Sequence, residues 1–135
     1  MMNIISLHWQ QTIPIRHQVL WPDHPPHFCY VEGDETARHF GVEKEGTLIS
    51  VASLFRQENK AQLRKFATLP RYQGQGIGSR LLKHVMTAAQ EDSTSYFWCR
   101  ARITAVPFYG RFGLVPDGQQ FERAGVTFIH MGKHL

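Results

Sequence analysis

The sequence predicts a mixed α/β chain of the α+β type, with a central mixed, mainly antiparallel twisted sheet flanked by helices. Three observations point there. Residues 39–44 and 47–55 are strand-like and meet around Glu45-Gly46, the pattern of a hairpin. Residues 76–92 carry apolar side chains at helical spacing. That helix lies between two further strand-like runs, 62–68 and 95–100, which makes a strand-helix-strand unit in the middle of the chain.

The elements follow in order. Residues 2–8 alternate loosely and suit a short edge strand. Thr12-Ile13-Pro14 reads as a helix start, because proline is tolerated in a first turn. This helix turns Ile15, Val19 and Leu20 inward and stops before Pro22. Residues 23–36, with Pro25-Pro26 and Gly33-Asp34-Glu35, form a long loop of the kind that is often functional. After the hairpin, a polar turn at 57–60 leads into the strand 62–68. The helix 76–92 places Ile77, Leu81, Leu82, Val85, Met86 and Ala89 on one face, and Arg80, Lys83 and His84 away from it. Residues 95–100 are expected as a short buried strand, with Cys99 a small buried hydrophobe. A short helix follows over 104–112, where Thr104 can cap, Pro107 falls in the first turn and Gly113 stops the helix. Residues 114–116 and 121–130 suggest two final strands.

Composition bounds the function. The chain has 135 residues, 42% apolar and 19% charged, so a single globular domain over 1–135 is expected. A net charge of +4 suits an anionic ligand, but no run of like charges marks a nucleic-acid tail and no recognition motif accompanies it. Cys29 and Cys99 are too few for a disulfide scaffold, and neither has a second Cys or His at metal spacing, so no metal is expected. No apolar run is long enough for a membrane span, and no signal peptide is recognisable. A reducing, cytoplasmic setting without a membrane partner is therefore expected.

Between the strand 62–68 and the helix 76–92 lies Gln73-Gly74-Gln75-Gly76-Ile77-Gly78-Ser79. Glycine at every second position strips the turn of most side chains and leaves backbone N–H groups at a helix N-terminus, a site for a diphosphate. The turn ends Gly-Ser-Arg without the lysine of a Walker loop, and its Gly-x-Gly-x-Gly spacing departs from the dinucleotide pattern.

Gln73-x-x-Gly76-x-Gly78, after Pro70-Arg71-Tyr72 and before an amphipathic helix, resembles the acetyl-CoA pyrophosphate loop of the GNAT (GCN5-related) N-acetyltransferase family. The run from Ala101 through Phe108-Tyr109-Gly110-Arg111-Phe112-Gly113 resembles that family's second signature. The resemblance covers residues 37–131, and more weakly the segment around Arg16 to Pro22. It implies the GNAT acyl-CoA N-acyltransferase fold and acetyl-CoA as co-substrate. It also implies direct transfer to an amine acceptor through a tetrahedral intermediate.

By the same resemblance, Gln73, Gly74, Gln75, Gly76, Ile77, Gly78 and Ser79 hold the pyrophosphate through main chain, with Arg71 or Arg80 available for a charged contact. Phe66, Ala67 and Thr68 take pantetheine as an added strand, and a backbone N–H there polarises the thioester. Tyr109 is the general acid that protonates the departing thiolate, with Ala105 beside the pantetheine arm and Phe108 packing nearby. No base stands out; His39, Glu58, Asp34 and Glu35 are the candidates. Departures from the family pattern are Leu69 before Pro70, Arg100 before Ala101, and Phe128 where a histidine often lies, with His130 two residues on. The acceptor side is expected at 12–36 and 114–131, where Trp21, His24, His27, Phe28 and Tyr30 are candidates to line it. A homodimer is implied by analogy. The alternative to an enzyme is a CoA-binding sensor or subunit that no longer transfers.

Overall fold

Seven strands form one sheet in the order β1-β2-β3-β4-β5-β7-β6 in the computed structural model, which describes residues 1–135. The strands are β1 (Met2–Leu7), β2 (Arg38–Lys44), β3 (Thr47–Gln57), β4 (Lys60–Thr68), β5 (Tyr96–Arg102), β6 (Val115–Arg123) and β7 (Val126–His134). The helices are α1 (Trp9–Ile15), α2 (Ile77–Glu91) and α3 (Val106–Gly110). Every neighbouring pair is antiparallel except β4 and β5, which α2 joins. A parallel pair requires a crossover of that kind. The mainly antiparallel sheet with a central strand-helix-strand unit is therefore as expected.

Two tight turns set the registers. Glu45 and Gly46, both at positive φ, join β2 to β3 between Lys44 and Thr47. Ala124 and Gly125, also both at positive φ, join β6 to β7 between Arg123 and Val126. Positive φ at both central residues matches the twist of the flanking strands. The second turn corrects the expectation of one strand over 121–130: the chain reverses within it. The first of the two final strands accordingly runs on to Arg123 rather than ending at 116.

α2 buries Ile77, Leu81, Leu82, Val85, Ala88 and Ala89 in the main core, with Phe40, Ile49, Leu63, Phe97 and Met131 among their partners. On the opposite face of the sheet Ile15 packs on Val51 and Ala67. The first helix departs from expectation. It begins at Trp9, where the His8 N–H donates to Gln11 Oε1 at 2.8 Å, so Pro14 lies inside it. Proline has no N–H to offer the preceding turn, and the chain continues as a wider π turn over Arg16–Leu20.

The loop 23–36 is anchored from within, and Pro26–Cys29 forms a 3-10 turn inside it. Asp34 is fully buried and accepts from Arg16 at 2.8 and 3.0 Å and from the Val31 N–H at 2.8 Å. Arg16 also donates to the Cys29 carbonyl and to Ser53 Oγ. The His39 ring spans Ser53 Oγ and the Asp34 carbonyl, each at 2.7 Å. A carbonyl only accepts, so His39 Nε2 carries a proton.

Two elements near the C-terminal half also differ from expectation. β5 runs two residues further and alternates, with Phe97, Cys99 and Ala101 buried and Arg100 exposed, because α2 covers only one of its faces. Thr104 caps nothing; it lies in a 3-10 turn at Ile103–Ala105, and the residue before α3 is Ala105. Pro107 does fall in the first turn of α3. No helix is long and apolar enough to cross a membrane.

Candidate active site

β4 and β5 pair only from Lys60↔Tyr96 to Leu63↔Cys99. Beyond that point β4 stays with β3, ending at Ser50↔Thr68, while β5 follows β7 to Arg102↔Phe128. The two parallel strands therefore part, and one backbone edge of β4 past Leu63 has no strand partner. Such an edge can accept an extended, amide-bearing ligand as an added strand. Phe66, Ala67 and Thr68 lie on it.

A bulge sits at the parting. Val51 pairs with Ala67 and Ser53 with Arg64, so two β4 residues oppose Ala52 alone, and Lys65 takes φ +54°. The bulge interrupts the in-out alternation. Ala61 and Leu63 face the α2 core, and so does Phe66, while Ala67 faces Ile15 on the other side. Arg64 and Lys65 are left consecutive on the face opposite α2. Arg64 lies over the Phe55 ring at 5.6 Å and Lys65 over the Trp21 ring at 5.7 Å.

The glycine turn follows β4. Gly74 and Gly76 have φ of +75° and +80°, and Gly76 stands at the N-cap position of α2. No side chain caps this helix, and its first turn holds no acidic residue. The first intrahelical bond runs from the Arg80 N–H to the Gly76 carbonyl, so the N–H groups of Ile77, Gly78 and Ser79 have no intrahelical acceptor. Gln73 and Gln75 brace the turn with their side chains, donating to the carbonyls of Thr68 and Arg71 at 2.9 and 3.1 Å. A Cβ on Gly78 would stand 3.3 Å from Phe66 Cζ, so the glycine lets α2 approach β4 closely. Uncapped donors on a side-chain-free turn suit a diphosphate.

Where β4 and β5 part, a cavity of about 570 Å³ opens. Its lining includes Leu63 and Phe66 of β4, Cys99 of β5, Ala105, Tyr109 of α3, and Leu20 and Trp21. Phe121 and Phe128 contribute from the last hairpin. Phe108 meets Tyr109 edge to face, with ring centroids at 5.3 Å, and lies 5.9 Å from the Phe66 ring. Tyr109 is 8% exposed, and its hydroxyl makes no hydrogen bond within the protein. Burial pushes its pKa well up; nearby Cys99 adds to the rise and Arg102 offsets part of it. Burial likewise raises the Cys99 thiol to about 12.

A model of the acetyltransferase (GNAT) domain matches residues 26–135. The chain belongs to the GNAT acetyltransferase family. An uncharacterized N-acetyltransferase of Bacillus subtilis, YitI, is 32% identical over 144 aligned positions, covering 100% of this chain and 93% of that protein. Among solved structures, the ribosomal-protein-S18-alanine N-acetyltransferase of Escherichia coli superposes with a TM-score of 0.84. It is 19% identical and covers 99% of this chain and 94% of that one. A GNAT family acetyltransferase of Elizabethkingia anophelis with acetyl-CoA bound reaches 0.78 at 15% identity, with 99% and 98% covered. The family uses acetyl-CoA, and its chemistry makes this chain an N-acetyltransferase.

Within this GNAT chain the four candidate bases lie off the cavity lining. Asp34 and His39 are buried in the Arg16 network, Glu35 accepts from the Tyr30 hydroxyl at 2.8 Å, and Glu58 sits in the β3–β4 turn. Of the five aromatic and histidine candidates for the acceptor side, Trp21 lines the cavity; His24, His27, Phe28 and Tyr30 do not. Glu122 and Arg123 come from the stretch 114–131 expected on the acceptor side; unforeseen in the cavity are Arg64, Lys65, Arg100 and Arg102. The only sequence signal for them was the Arg64-Lys65 pair and the departure at Arg100. No group of three or more His, Cys, Asp or Glu stands together as a metal site would require.

Proposed function

We propose that the chain, as one domain over 1–135, moves the acetyl group of acetyl-CoA directly to a primary amine, with Tyr109 as general acid. Acetyl-CoA supplies an activated thioester when bound. The backbone N–H groups from Gln73 to Ser79 hold its diphosphate. The free edge of β4 at Phe66, Ala67 and Thr68 takes the pantetheine amides, and Ala105 and Phe108 flank that path.

One observation carries this reading: Tyr109 lines the cavity where the strands part, and its hydroxyl makes no hydrogen bond within the protein. A phenol whose pKa is raised by burial stays protonated through the working pH range. Because a thiolate's conjugate acid has a pKa of about 8.5, below that of the buried phenol, Tyr109 gives up its proton to sulfur only as the proton released by the attacking amine replaces it. Cys99 also lines the cavity, but a thiol held at about 12 is a poor nucleophile, which favours direct transfer over an acetyl-cysteine intermediate.

Tyr109→Phe tests the assignment. Turnover against an accepted amine should fall roughly 10²- to 10⁴-fold while CoA affinity stays within about twofold of the parent. Unchanged turnover would remove Tyr109 from the mechanism.

A further inference from the structure

We infer that the acceptor is a small amine carrying its own anionic group, a carboxylate or phosphate, which Arg64, Arg100, Arg102 and Arg123 receive in the cavity. The inference rests on the acetyltransferase reading above and names its acceptor class.

The cavity holds five basic side chains, those four and Lys65, against a single carboxylate, Glu122. The protein's carboxylate pairs lie elsewhere, at Arg16–Asp34, Arg38–Asp92 and His39–Asp34, so none of the five is neutralised by the fold. Like charges gathered without partners oppose folding. Burial first, then Arg100 and Arg123, lower the Arg64 pKa, and Asp34 offsets part of that fall. Such a cluster makes sense where an anion from outside completes it.

These cations do not belong to the diphosphate turn. Gly78 meets Phe66 and Thr68 on the α2 face of β4. Arg64 and Lys65 project from the opposite face, as do Arg100 and Arg102, which alternate with the core residues Cys99 and Ala101. Arg102 is held by a hydrogen bond that it donates to the Leu20 carbonyl at 3.0 Å, and it lies over Trp21. The exposed Arg100 and Arg123 each lie against a ring, Arg100 over Trp98 and Arg123 over Phe28. The cavity of about 570 Å³, shared with the thioester arm along Phe66, Ala105 and Tyr109, lies in the range of small-ligand sites, roughly 300–1,000 Å³.

The same field bears on the amine. An ammonium at this spot is penalised, as Lys65 is: burial first, then Arg64 and Arg123, bring it to about 8. An acceptor amine is thus pushed toward its neutral, nucleophilic form without a dedicated carboxylate base. Only an acceptor with an anion elsewhere is still drawn in; a polyamine or a lysine-rich peptide is repelled.

The experiment has two arms. In the first, protein saturated with CoA, so that the diphosphate turn is filled, is titrated with glutarate and with inorganic phosphate at constant ionic strength. Tryptophan fluorescence is followed, because Trp21 and Trp98 lie beneath the cations. A saturable change is expected, weakened at least tenfold in Arg64→Gln/Arg100→Gln and largely restored in Arg64→Lys/Arg100→Lys. No saturable change, or one the Gln variant leaves intact, overturns the inference. In the second arm, acetylation is compared across β-alanine and β-alaninamide, O-phosphoethanolamine and ethanolamine, spermidine, and a neutral tripeptide. Anionic members should exceed their neutral partners at least tenfold in kcat/KM, and the two anion types show which source is used. Preference for the neutral amines, spermidine or the peptide overturns the inference while leaving the transferase reading intact. Anion binding without transfer to any amine would instead sink the transferase reading and keep the anion site.

Discussion

Arg16 and Asp34 meet in a two-point ion pair at full burial, Nη1 to Oδ2 at 2.8 Å and Nη2 to Oδ1 at 3.0 Å. The pair ties the π turn after α1 to the loop ahead of β2. Trp21, which walls the cavity, follows that turn directly. Removing one partner leaves the other charge buried and uncompensated, so Arg16→Met or Asp34→Asn should each cost roughly 3–5 kcal/mol. Urea unfolding of the two single variants and the double variant checks this. The double change should cost clearly less than the two single costs together; simple additivity would show that the pair is not a unit.

Gly76 holds φ +80° at the head of α2, and a Cβ there would meet nothing within 4 Å, so backbone conformation alone sets the cost of adding one. Gly76→Ala should destabilise by about 1–2 kcal/mol. It should also weaken CoA binding, because relieving the strain rotates the uncapped N–H groups. Gly78→Ala acts differently: its methyl would stand 3.3 Å from Phe66 Cζ, so the ring must give by a few tenths of an ångström where α2 meets β4. Calorimetric titration with CoA alongside thermal unfolding separates the two effects. Undiminished CoA affinity in both variants would count against the turn as the diphosphate site.

Cys99 is buried and its thiol is held at about 12. Cys99→Ala should therefore keep turnover within a few-fold of the parent, and mass spectrometry after incubation with acetyl-CoA alone should find no acetylated cysteine. Loss of transfer together with an acetyl adduct in the parent would establish a two-step route.

Lys65 supplies a pH signature. Its pKa falls from 10.5 unfolded to about 8 folded, chiefly by burial. Between those values the unfolded chain binds more protons, so this residue makes stability rise with pH from about 8 toward 10.5 and contributes a constant penalty below 8. Lys65→Met keeps an apolar stem against Trp21 and removes the charge. It should stabilise the protein by about 1–3 kcal/mol at about pH 6.5. That gain should shrink steadily above pH 8, as denaturant unfolding across the range would show. A gain independent of pH would mean that packing, not charge, distinguishes the two side chains.

Much of the fold was legible because its signals are local. The apolar face of α2 reads from spacing alone, and Ile77, Leu81, Leu82, Val85 and Ala89 are all buried. The hairpin at Glu45-Gly46 and the stop at Gly113 follow from backbone conformations that few residue types adopt. The misreadings were local ambiguities that tertiary context resolved. Pro14 suited a first turn, but the capping contact between His8 and Gln11 starts the helix earlier. Ala124-Gly125 lay inside the stretch 121–130 expected as one strand, and only pairing of β6 with β7 shows that it is a turn.

The sequence by itself determined the glycine turn before α2 and the run that carries Tyr109. Both are contiguous, and their chemistry lies in short-range geometry: glycines that expose backbone donors, and a tyrosine at a set place in a short helix. Tertiary structure alone decided the basic lining of the cavity. Arg64 and Lys65 come from β4, Arg100 and Arg102 from β5, and Arg123 from β6; they meet because the strands part after Leu63 and Cys99 and the last hairpin folds back beside them. The bulge at Lys65 then turns two successive cations to one face. Charges that converge from separate strands depend on strand order and register, which no single stretch of sequence contains.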